Sequence, residues 1–325
     1  MNEALANPTT TPSAGYAHSA GSVCVDSGVR PPSSRIHAPA PLAFWHLASL
    51  DAPTVAVVWV LTFAWAGNVR LPAWTPILLA LVTWTVYIAD RLLDALFAFR
   101  NAQAHPLRMR HHFHWRHRRI FIPMAAVSAC AAACIVVVFM PVAARERNSI
   151  LAAAGLIYFS SVHAGRTFPR ILIRILAPFV AKETLVAVIF TAACALPTLS
   201  RATAHAPLET ESTFGSLVFA IAYFTLLAWL NCHSIELWES NECNLPGDIS
   251  SRSGMFFQGI VLGLAGLLLA VALASHQRVA LLVASGAVAA LLLALLDRFR
   301  GRLSPLALRA AADLVLLTPL PLLLR

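Results

Sequence analysis

Residues 73–97, AWTPILLALVTWTVYIADRLLDALF, decide how the chain folds. The run is apolar as far as Asp90 and longer than the about 20 residues a helix needs to cross a bilayer. Polar and apolar residues do not alternate in it, as they would in a strand of a transmembrane barrel. Lipid cannot satisfy an open backbone, so such a run is helical. Comparable runs cover 44–67, 120–142, 148–164, 172–198, 214–238, 255–275, 278–297 and 304–324. With 73–97 they predict an all-α polytopic membrane protein of about nine spans.

Composition points the same way. Of 325 residues, 58% are hydrophobic and 12% charged, with a mean hydropathy of +0.71. A soluble globular chain carries about twice that share of charge, so a soluble enzyme, a disordered chain and a fibrous chain are excluded. Residues 1–42 differ from the rest, being rich in Pro, Ser, Thr, Ala and Gly without a long apolar run. They read as a disordered tail rather than a secretory signal, leaving 43–325 as one transmembrane domain. The six cysteines form no CxxC pair, and they predict neither disulfides nor a structural zinc.

The net charge is +9, and every basic residue except Lys182 is an arginine. Arginines crowd into alternate connections: Arg100, Arg108, Arg110, Arg116, Arg118 and Arg119 after the second span; Arg166, Arg170 and Arg174 after the fourth; Arg298, Arg300 and Arg302 after the eighth. The other connections hold few. Basic residues mark the cytoplasmic side, which places the N-terminus in the cytoplasm and the C-terminus across the membrane, the bacterial inner membrane being the expected setting. The His/Arg-rich stretch 105–119 reads as a basic loop on anionic headgroups or a cap over a site. It is too short and too close to the membrane for nucleic acid.

Ionisable groups inside spans are costly and each needs a reason. One group is Tyr87, Asp90, Arg91 and Asp94, with the two aspartates one helical turn apart on one face. Two carboxylates so close repel unless a cation lies between them, and Mg²⁺ suits them when substrate phosphates complete its shell. A second group closes the sixth span: Asn231, His233, Glu236, Glu239 and Glu242. Both groups fall on the cytoplasmic side. Lys182-Glu183 sits within the fifth apolar run and is expected to face the bundle interior. Asp313 and Arg309, one turn apart, read as a structural pair.

This pattern resembles the UbiA superfamily of intramembrane prenyltransferases. Asp90 and Asp94 match the last two aspartates of that family's Asn-Asp-x-x-Asp-x-x-x-Asp motif, whose opening pair is Val86-Tyr87 here. The second motif, commonly Asp-x-x-Asp-x-x-x-Asp, reads Glu236-x-x-Glu239 with Cys243 at its third position. The resemblance implies nine helices around a central cavity and transfer of a prenyl group from a Mg²⁺-bound prenyl diphosphate to a lipophilic, often aromatic, acceptor. It makes Asp90, Asp94, Glu236 and Glu239 catalytic metal ligands, with Glu242 beside them. Tyr87, Arg91, Arg166, Arg170, Lys182 and Asn231 are then substrate-binding residues. Two other readings compete: an ion-coupled transporter, for which no internal repeat is visible, and a UbiA-like scaffold that has lost catalysis.

Overall fold

A computed structural model describes residues 35–100, 109–163, 182–202, 210–243 and 250–324. Among the described residues eleven α-helices follow one another: α1 (Ala40–Leu47), α2 (Asp51–Ala66), α3 (Trp74–Arg100), α4 (Met109–Arg116), α5 (Arg118–Val138), α6 (Val142–His163), α7 (Lys182–Ala202), α8 (Thr210–Cys243), α9 (Ser250–Ala272), α10 (Gln277–Phe299) and α11 (Pro305–Val315). Short 3-10 turns cover Arg300–Arg302 and Leu320–Leu324. Among the described residues there is no strand, only an isolated parallel bridge between Ile36 and Leu303. The boundary expected after residue 42 falls inside α1, and residues 1–34 lie outside the described residues.

Six of these helices are long and apolar enough to cross a membrane, or seven if the bent pair α1–α2 is one span. The described residues therefore do not reproduce nine spans, and the differences have local causes. The run 148–164 belongs to α6, whose first turns carry Arg145, Glu146 and Arg147. The run 304–324 breaks into the eleven-residue α11 and a 3-10 turn. In the run 172–198 only α7 is described, starting at Lys182.

The run 44–67 is split and bent by 86° between α1 and α2. Pro53 explains the break. A proline ring collides with the carbonyl four residues back and offers no N–H to it, and that residue is Ser49, which takes a left-handed φ of 57°. Ser304 caps α11, accepting a hydrogen bond from the Ala307 N–H (3.2 Å), with Pro305 in the first turn.

The core lies between α2, α7, α8 and α10. Trp59, Phe63, Phe190 and Phe224 meet edge to face, with Trp59 and Phe224 centroids 4.8 Å apart. Trp59 Nε1 donates to the Leu316 carbonyl (2.9 Å), which draws the C-terminal segment into the bundle. α9 packs on α10 through small residues; a Cβ at Gly259 would lie 2.8 Å from that of Ala294. The outer faces are apolar: Val127, Ile150, Leu268 and Val271 are each about 70% exposed. Water would not tolerate faces of that kind on a monomer, whereas lipid does.

Candidate functional site: a buried polar cluster at one end of the bundle

Contacts between helix ends sort the polar residues into two levels. At one end, Arg278 at the start of α10 donates to the Trp65 carbonyl (3.3 Å) and to Asn68 Oδ1 (2.8 Å), just past α2. Arg70 and Arg201 belong to this level too. At the other end meet the start of α2, the last turns of α3, the start of α7, the last turns of α8 and α10, and α4 and α11. There Trp238 Nε1 donates to Asp297 Oδ1 (2.8 Å), Arg300 pairs with Asp297 (3.1 Å), and Ile36 exchanges backbone hydrogen bonds with Arg302 and Ser304. The groups 87–94 and 231–239 both lie toward this second end, together with Arg116, Arg118, Arg119, Arg298 and Arg302.

The break at Ser49 turns α1 back so that His46 lies beside Asp51. His46 Nδ1 is 2.7 Å from Asp51 Oδ2 and 3.4 Å from Asp313 Oδ2. His46 is fully buried and Asp51 nearly so. Asp51 Oδ1 accepts from the Ala52 N–H (2.9 Å). Arg91 reaches in from α3, with Nη2 3.6 Å from Asp51 Oδ2 and Nη1 donating to the His46 carbonyl (3.3 Å). From α8, Asn231 Nδ2 donates to Asp313 Oδ1 (3.4 Å). Tyr87 is within electrostatic reach of Asp51, Asp313, Arg91 and Cys232, and Cys232 is within reach of Asp313, Glu183 and Lys182. α4 closes this end: His114 is buried, with Nε2 3.2 Å from Ser49 Oγ and its ring 4.5 Å from that of Phe121.

Of the residues singled out in the sequence, Arg91 and Asn231 thus converge on one buried centre. Asp90 and Asp94 are half-buried on α3. Glu236 is exposed, and Glu239 forms an ion pair with Arg309. That pair corrects the expected Arg309–Asp313 link: Arg309 goes to α8, while Asp313 takes His46 and Asn231. Lys182 is exposed on the first turn of α7 rather than enclosed beside Glu183, which is half-buried. His233 stacks on Trp229 at 5.1 Å. Arg166, Arg170 and the side chain of Glu242 lie outside the described residues.

Sequence reasoning missed His46 and Asp51. The signal was present, since both are ionisable groups inside an apolar run and so expensive in lipid; only the break at Ser49 brings them together.

For Mg²⁺, the oxygen donors of Asp90 and Asp94 fit an ion that takes one or two protein carboxylates and completes its shell with phosphate. Glu239 fits less well, because Arg309 already compensates its charge. Among the described residues, the three metal-binding side chains whose donor atoms all lie within 4.8 Å of one another are His46, Asp51 and Asp313. No family model, curated protein or solved structure matches the chain.

Proposed function

We propose that this protein is a UbiA-type intramembrane prenyltransferase, moving a prenyl group from a prenyl diphosphate to a lipophilic acceptor. One observation carries the reading: Arg91 and Asn231, from the two helices that bear the acidic motifs, reach the same buried cluster. Motif helices that share one polar centre can act on one substrate. In this reading Asp90 and Asp94 hold Mg²⁺, which when bound neutralises the leaving diphosphate. Arg91 adds a fixed positive charge in a site that excludes water, where charge stabilisation is strongest. Tyr87 and Asn231 orient the substrate, and the apolar helix walls receive the isoprenoid chain. In this reading the arginine-rich end faces the cytoplasm, and the Ile36–Leu303 bridge, which ties the N-terminal side of the described chain to that end, supports a cytoplasmic N-terminus. The membrane is the inner membrane of a bacterium.

The test is binding of radiolabelled geranylgeranyl diphosphate to the full chain in lipid nanodiscs, with and without Mg²⁺. Saturable binding is expected only with Mg²⁺ and weakens at least about tenfold, or about 1.4 kcal/mol, in Asp94→Ala. Binding indifferent to both metal and mutation overturns the proposal. A catalytically inert scaffold has one observation in its favour, the Glu239–Arg309 ion pair that occupies the second acidic motif. It predicts no binding under either condition.

A further inference from the structure

We infer that His46, Asp51 and Asp313 form a binding site for a divalent transition metal, separate from the Mg²⁺ carboxylates of α3. The donors come from three elements, and their atoms all lie within 4.8 Å of one another. Ligands about 2.0–2.2 Å from zinc stand roughly 3.3–3.6 Å apart along a tetrahedral edge. His46 Nδ1 and Asp313 Oδ2, 3.4 Å apart, already have that spacing, while His46 Nδ1 and Asp51 Oδ2 at 2.7 Å need a small opening.

Two further features point to a ligand rather than to a closed hydrogen-bond network. Nδ1 of His46 faces both carboxylates, at 2.7 and 3.4 Å, and Nε2 has no hydrogen-bond partner. Asn231, buried and joined to Asp313 through its amide nitrogen, leaves Oδ1 without a partner. Buried polar groups are nearly always satisfied, so two unpartnered buried atoms, Nε2 of His46 and Oδ1 of the asparagine bonded to Asp313, set this cluster apart. Charge agrees. With a neutral imidazole, two carboxylates and Arg91 sum to one negative charge in a buried site, and a divalent ion reverses that sign at its centre. Arg91, 3.6 Å from Asp51, then steadies that carboxylate from outside. An imidazole among the donors selects zinc-like metals over Mg²⁺ and Ca²⁺, which prefer all-oxygen shells.

This inference does not depend on prenyl transfer. The full chain, purified in nanodiscs and stripped with a chelator, is titrated with Zn²⁺ against a chromophoric competitor. A His111→Gln/His112→Gln background removes two imidazoles of the basic loop. About one Zn²⁺ per chain is expected, weakened at least about tenfold in His46→Ala and in Asp313→Asn, unchanged in Asp94→Ala, and not displaced by excess Mg²⁺. Co²⁺ titration of the same background gives a readout that needs no substitution in the site, a saturable visible absorption band. No stoichiometric Zn²⁺ and no Co²⁺ band, or Zn²⁺ binding in both site variants as tight as in the parent background, overturns the site. Loss of prenyl diphosphate binding in Asp94→Ala with Zn²⁺ binding intact separates the two proposals.

Discussion

Arg91 holds Asp51 with one guanidinium nitrogen and the His46 carbonyl with the other, and it is 5% exposed. A buried carboxylate that loses its cation keeps the desolvation penalty without the attraction, at about 3–5 kcal/mol. Arg91→Met is therefore expected to lower the unfolding midpoint strongly in detergent. Arg91→Lys recovers only part of the loss, since an ammonium cannot serve two acceptors in fork geometry. Equal midpoints for Arg91→Met and the parent chain would contradict this account. Trp59 is a milder case. Trp59→Phe keeps most of the ring packing but leaves the Leu316 carbonyl unpaired, a cost of about 1–3 kcal/mol, read in the same assay. Arg91 and Asn231 were legible in the sequence because polar groups in apolar helices stand out. Their partners His46 and Asp51 were not, because their meaning depends on a bend.

Helix α9 shows what the elements contribute. Gly266 and Gly286 receive opposite sides of the Tyr223 ring, whose hydroxyl donates to the Leu262 carbonyl (3.1 Å). A Cβ at Gly286 would stand 2.9 Å from that ring. Gly286→Leu is thus expected to force Tyr223 aside at a cost of about 1–3 kcal/mol. Gly254→Ala, with open space around it, is expected to be neutral; a reversed order of the two midpoints refutes the packing argument. Helix type and most boundaries followed from apolar run length. Continuity did not: one expected span is bent by 86° at the break before Pro53, and the charged first turns of α6 leave it outside the six helices apolar enough to cross a membrane. Run length measures the free energy of leaving water, and carries no information about where the backbone turns within the run.

For the whole molecule, the arginine-rich end and the buried cluster coincide, which fixes a topology to test. In a cysteine-free background, Arg119→Cys and Arg302→Cys are expected to react with a membrane-impermeant maleimide only from the cytoplasmic side. Arg70→Cys and Arg278→Cys are expected to react only from the opposite side; labelling of all four from one side overturns the orientation. The sequence by itself determined that this is a helical membrane protein and that its few charges sort by side, because burial in lipid and charge asymmetry are additive properties of local composition. Only the tertiary structure decided which charges meet. It joined Asp313 to His46 rather than to Arg309, gave Arg309 to Glu239, and drew residues 46, 51, 91, 231 and 313 into one centre. Those pairings depend on the bend at Ser49 and on which helix ends share a level, and both are set by packing between segments far apart in the chain.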